Sequence, residues 1–237
     1  MKPEPGRISV TLIFLFFLFS AVIGQPERLS VSALTETLQS GKVLRTSAEI
    51  HLDPVTGRIV TLNLAPEKFV TIVDPSGKAE MYYPATNNVL VMKNRAFSSR
   101  NNNLWYFMNP QGYDLGLQEL GFRAVGNRNE DNFTVTTWQA PLKLLAEVDK
   151  VDLVHDKGIP IYLEYKNTKG QTKIKVYYDD FVRHGDISVP SRITEVQFSA
   201  GSDSTIRRTT YSAFRWGIQA DTAGFNYRIP AGAVRIK

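Results

Sequence analysis

Apolar and polar residues alternate with a period of two along most of this chain, and that period restricts it to strands with one wet face. Val60, Leu62 and Leu64 share a face, with Thr61 and Asn63 opposite. Ile159, Ile161, Leu163 and Tyr165 repeat the pattern, as do Ile174, Val176 and Tyr178, with Lys173 and Lys175 outside. Val196 and Phe198 follow, then Phe214, Trp216 and Ile218, and finally Phe225, Tyr227 and Ile229. Turn chemistry separates the runs at Asp53–Gly57, Asp74–Gly77, Asp156–Gly158 and Asn167–Gly170. The spacing predicts a mainly β fold with a few helices, an antiparallel meander of about ten strands curling on itself.

Three stretches depart from that period. Over Leu29–Gln39 the spacing predicts a helix: Val31, Leu34 and Leu38 fall on one helical face, Ser30 or Ser32 can cap it, and Gly41 can end it. Residues 98–121 read as a loop with a short helix around Asp114–Leu120. Residues 141–153 fit a helix through Leu142, Leu145 and Val148, and fit an irregular strand nearly as well. A curled sheet has a concave apolar face that something must cover. The N-terminal helix and the Leu115–Phe122 segment are the available covers, and they either plug the sheet or leave an apolar cavity.

The first residues set the expected compartment. Lys2 and Arg7 precede an apolar run from Val10 to Ile23, which is short for a membrane span and ends at Val22-Ile23-Gly24 before Gln25. Residues 1–24 read as a cleaved signal peptide, and residues 25–237 as one domain exported from the cytoplasm that does not span the membrane. Of the formal net charge of +5, the loss of Lys2, Arg7 and Glu4 leaves +4. The chain has no cysteine, which excludes disulfides, thiolate metal sites and a cysteine nucleophile, and leaves Gln25 where a lipoprotein needs its acylated Cys.

Little else suggests chemistry. The histidines are His51, His155 and His184, too few for a multi-histidine metal centre. Asp179-Asp180-Phe181-Val182-Arg183-His184 is the one carboxylate–histidine cluster, and a hydrolase working through Asp180 and His184 is the enzymatic alternative. Nucleophile-elbow, zinc-helix and phosphate-loop motifs are absent, and the aspartates lack calcium-loop spacing. Asn132-Phe133-Thr134 is a glycosylation sequon, read as a chance match on a strand. Arg207-Arg208 is the single dibasic pair, so nucleic-acid binding lacks its electrostatic footprint. No enzyme, metal or cofactor is expected. The aromatic residues Tyr82-Tyr83, Trp105, Tyr106, Phe107, Trp138, Tyr177-Tyr178 and Trp216 suit either core packing or the wall of an acyl-chain cavity.

Three successive segments carry a resemblance: Ile59–Pro66, Val70–Gly77 and Met81–Val89, that is, a strand ending in proline, a strand ending at a glycine turn, and a strand closing on Tyr-Tyr-Pro. With Asn132–Thr136 in mid-chain and Ala223–Val234 near the end, this succession resembles the LolA/LolB-like superfamily of outer-membrane lipoprotein carriers, on its soluble LolA-like side. The resemblance implies an antiparallel half-barrel lidded by helices. It further implies a periplasmic, monomeric carrier that takes acylated lipoproteins or lipids from release machinery at the inner membrane to an outer-membrane acceptor. The expected cavity residues are Val60, Leu62, Leu64, Ile72, Tyr82, Leu90, Trp105, Phe107, Leu117 and Trp138. Arg58 is the nearest counterpart of the family's lid-gating arginine, although its spacing does not align. A regulatory or partner-binding module on the same fold, sensing envelope lipoproteins, is the alternative.

Overall fold

The computed structural model describes residues 27–109, 112–199, 204–220 and 223–236, and the expected signal peptide lies outside them. Six strands come first: β1 Leu29–Gln39, β2 Lys42–Asp53, β3 Arg58–Ala65, β4 Phe69–Val73, β5 Lys78–Tyr83 and β6 Asn88–Lys93. A short helix, α1 Asn103–Met108, follows. Seven more strands complete a second meander: β7 Arg123–Glu130, β8 Phe133–Gln139, β9 Lys150–Asp156, β10 Ile159–Lys166, β11 Thr172–His184, β12 Ile187–Phe198 and β13 Ser204–Trp216. The chain ends on β14, Val234–Ile236.

All fourteen strands form one open sheet in the order β14-β6-β5-β4-β3-β2-β1-β13-β12-β11-β10-β9-β8-β7. The two meanders are stitched together where β1 pairs with β13. Pairing is antiparallel throughout except that β14 lies parallel to β6. This order forces two long connections. After β6 the chain must cross to the far edge to begin β7, and after β13, in mid-sheet, it must return to β6 to add β14. Each crossing covers a different face.

The first crossing, residues 94–122, covers the inner face. Leu104, Phe107, Met108, Leu115, Leu117 and Phe122 join one core with Leu29, Leu52 and Ile59 from the first meander and Trp138, Leu153, Leu163 and Val189 from the second. The sheet curls around this segment. Ser98 Oγ donates to the Pro75 carbonyl at 3.0 Å in the β4–β5 turn, while five residues on Asn103 accepts from Tyr178 of β11 at 3.5 Å. Laid flat, those strands would be about 30 Å apart at ~4.8 Å per strand.

The second crossing, Phe225 to Ala233, straps the outer face. Tyr227, Ile229 and Ala233 pack on Val60, Val70, Tyr82 and Val89. Adjacent residues in a strand point to opposite faces, so Ile59 in one core and Val60 in the other mark the division within β3.

Several local expectations are corrected. Leu29–Gln39 is a strand, hydrogen-bonded along its length to β2 and over most of it to β13. Two neighbouring strands satisfy its backbone better than an isolated helix would, and Leu34 and Leu38, placed on the helix's buried stripe, are exposed on the outer face. Ser40 and Gly41 both have positive φ and make the two-residue hairpin turn into β2, not a helix cap. The helix in 98–121 is α1, which starts where Asn102 Oδ1 accepts from Leu104 N at 2.9 Å. The Asp114–Leu120 stretch is instead a run of turns after a 3-10 turn at Gly112–Asp114, with Leu115 and Gly116 at positive φ. The Asp114 carboxylate holds it, accepting from Gly116 and Gln118 amides at 3.1 and 3.0 Å. Residues 141–153 combine a 3-10 turn at Leu142–Leu144 with the start of β9. Ile218 lies exposed in a 3-10 turn, and Phe225–Ile229 is a strap without strand pairing. Among the described residues, the cover over the inner face is thus one short α-helix plus irregular chain, with no helix at Leu29–Gln39.

Candidate functional site: a recess on the inner face

Directly opposed residues on antiparallel strands share a face, so the register can be followed across the inner surface. One row runs Val31, Ile50, Thr61, Thr71, Met81, Leu90 from β1 to β6. A second runs Tyr178, Ile193, Thr209, Thr35, Thr46 from β11 through β13 to β2. Val31, Tyr178 and Ile193 are buried against the crossing segment, and the other residues of both rows are half-buried. The crossing segment therefore covers part of the inner face and leaves these rows partly exposed, and we read that partly exposed face as a recess. Its walls are aliphatic and threonine side chains, with Thr35 and Thr209 hydroxyls 3.0 Å apart.

Tyr165 and Tyr211 line the same face, opposite Ile174 and Ala33. Burial pushes both phenols up to about 12, although both side chains are half-buried and not fully enclosed. Surrounding protein with an open side is the setting of a group in the wall of a recess. Both hydroxyls are protonated at neutral pH, and Glu195, on the same face opposite Arg207, adds to the rise at Tyr165.

Smaller hollows flank the structure. Two adjoining pockets of 620 and 420 Å³ share Tyr106, Asn109 and Tyr113 at the end of α1, and a third of 540 Å³ lies beside β7 between Val125, Pro141 and Leu142. Among the described residues no helix is long and apolar enough to cross a membrane, and no group of His, Asp and Glu side chains could hold a metal ion.

No protein-family model matches this chain, and no curated protein does. Solved structures do. A LolA superfamily protein from Nitrosomonas europaea aligns with a TM-score of 0.55 at 11% identity, over 80% of this chain and 86% of that one. The fold is that of the LolA superfamily. A DUF1329 family protein from Desulfovibrio piger aligns with a TM-score of 0.56 at 12% identity, covering 81% and 86% of the two chains. A domain assigned to outer-membrane lipoprotein sorting, from Vibrio parahaemolyticus, gives 0.56 at 15%, covering 85% and 90%.

On this LolA-like sheet the ten expected cavity residues do not come together. Trp105, Phe107, Leu117 and Trp138 lie in the inner core, and Leu90 lines the inner row. Val60, Leu62, Ile72 and Tyr82 belong to the outer face, under or beside the C-terminal strap. Leu64 continues that face and is exposed. The residues missed are Ile50, Thr61, Thr71 and Met81. On β3 and β4 the more apolar face, with Val60, Leu62, Val70 and Ile72, is the one under the strap, and the alternation flags it in place of Thr61 and Thr71, whereas Ile50 and Met81 lie on the more apolar face of β2 and β5.

Arg58 also works on the outer face. Its guanidinium donates to the carbonyl oxygens of Phe225 and Tyr227, at 2.6 Å for the latter, and so clamps the strap. Burial lowers its pKa from the ordinary value, partly offset by Glu80. Burial alone would raise the Glu80 carboxyl, but hydrogen bonds from Arg235 and Lys78 hold it below the ordinary value. Asp180 and His184 take separate partners. Asp180 is 2.8 Å from Arg192, while the His184 ring stacks on Trp216 at 4.6 Å, with Nε2 3.2 Å from Glu27.

Proposed function

We propose that this protein is a non-enzymatic carrier that holds the acyl chains of lipoproteins, or of lipids, in the inner-face recess and shuttles them between the inner and outer membranes of a bacterial envelope. The observation that carries this reading is the half-buried row Ile50, Thr61, Thr71, Met81 and Leu90, which continues the apolar core along the part of the inner face that the crossing segment does not bury. Non-directional contacts of this kind accept chains of varied length, and each buried methylene contributes ~0.8 kcal/mol. The threonines moderate that gain, as release to an acceptor requires. The signal-like N-terminus supports a periplasmic address.

Native mass spectrometry of residues 25–237 purified gently from a Gram-negative periplasm tests the proposal. A retained mass matching a lipid or acylated peptide, displaced by a competing acyl ligand, is the expected result. A bare chain mass together with no binding of a fluorescent hydrophobe would reject it and favour a partner-binding module.

A further inference from the structure

The end of the sheet at the β1–β2 turn has a surface that the carrier reading does not use. Val43, Leu38, Ile206 and Val196 form one outer-face row across β2, β1, β13 and β12, and Phe198 follows two residues beyond Val196 on the same face. Val43 is 57% exposed, Leu38 39% and Phe198 38%. Leu44, on the opposite face beside Val43, is 57% exposed. Cations stand around and behind this apolar edge. Lys42 precedes Val43, Lys175 is opposite Val196, and the next row inward runs Arg45, Glu36, Arg208. With Arg207, which lies on the inner face opposite Glu195, these make five cations against three carboxylates: Glu36 beside Arg45 at 2.8 Å, Glu195 beside Arg207 at 3.8 Å, and Glu164 opposite Lys175. Arg45 and Arg208 lie two residues, or ~7 Å, behind the apolar row.

We infer that this end of the sheet docks on the surface of an anionic lipid bilayer, the apolar row entering the headgroup boundary and the cations lying at the phosphates. An apolar edge sunk ~5–10 Å with cations one step behind fits that interface, and the charge complements lipid phosphates. A protein partner of similar affinity would bury this edge without needing the net cationic excess. The inference stands apart from acyl binding in the recess, since docking does not depend on whether the recess is occupied.

Co-sedimentation of the mature chain with vesicles tests it. Binding to phosphatidylcholine vesicles containing about one-third phosphatidylglycerol, but not to pure phosphatidylcholine, and weakened by salt, is expected. V43D/L44D lowers binding at least about tenfold, and R45Q/R208Q abolishes the anionic preference. V43T/L44T, which retains strand propensity, lowers it by less and covers the case in which the aspartates prevent folding. Circular dichroism and fluorescent-hydrophobe uptake, unchanged in the variants, separate loss of docking from loss of the carrier site. No vesicle binding, equal binding to both vesicle types, unchanged binding in V43D/L44D or V43T/L44T, or a dimer in solution that these substitutions dissociate would overturn the inference.

Discussion

Arg58 and His51 show how single side chains hold the C-terminal strap. Arg58 supplies charged donors to two strap carbonyls that would otherwise be left without them. Arg58→Ala is expected to cost about 2 kcal/mol in urea unfolding. Arg58→Lys recovers only part of this, because an ammonium lacks the two-pronged geometry. His51 is buried on β2 against the strap, its ring 5.1 Å from that of Phe225 and so close to Gly224 that any Cβ there would collide with it. Burial lowers the His51 pKa below 6.5, with Glu49 raising it and Arg215 on β13 lowering it further. Arg28 lies over the Phe225 ring, 5.2 Å from its centroid. Because the unfolded chain binds a proton that the folded one resists, stability is complete above pH 6.5 and falls as pH drops below it. Chemical denaturation at pH 7.5 and 5.5 should show that loss, and His51→Gln should remove most of the His-dependent part. An equal loss in the variant would assign the effect to other groups.

At the scale of elements, the crossing segment sets how much of the curled sheet is filled. Leu117, 1% exposed, anchors it within the core. Leu117→Ala should lower stability by about 3 kcal/mol through cavity formation and raise fluorescent-hydrophobe binding by enlarging the recess. The inner row gives the opposite test. Thr71→Trp, at a half-buried position facing the recess, should reduce acyl binding at least about tenfold while unfolding changes by under about 1.5 kcal/mol, since the new ring fills open space instead of packed core. Unaltered acyl binding would place the ligand elsewhere. β1 carries the clearest lesson about local reading. Val31, Leu34 and Leu38 satisfy helical spacing, yet β2 and β13 on either side decide the outcome.

For the whole molecule, an open sheet must manage two edges. β7 is fully exposed and studded with Arg123, Arg128 and Glu130, charges that discourage pairing with another chain. β6 is capped by β14, fixed by the Asn87 amide donating to the Gly232 carbonyl at 3.0 Å and by Arg235 on Glu80 at 2.7 Å. Truncation after Pro230 should therefore expose the β6 edge, and velocity sedimentation should show oligomers that the full chain does not form. A monomeric truncated chain would mean that β14 has no protective role.

Much of this was written locally. Alternation in β3, β10, β11 and β12, with glycine-bearing turns at Gly57, Gly77, Gly158 and Gly170 all at positive φ, determines strands and hairpins, because side-chain period and turn conformation are properties of adjacent residues. Strand alternation separates two faces but does not say which one looks inward. In β3 the apolar set Val60, Leu62 and Leu64 lies outward because a strap more than 150 residues later covers most of it, while Thr61 faces the recess. The basic edge built from Lys42, Arg45, Lys175, Arg207 and Arg208 likewise forms only where distant strands pair. Periodicity is local, whereas the choice of face depends on which long connection crosses it, and only the tertiary structure decides that.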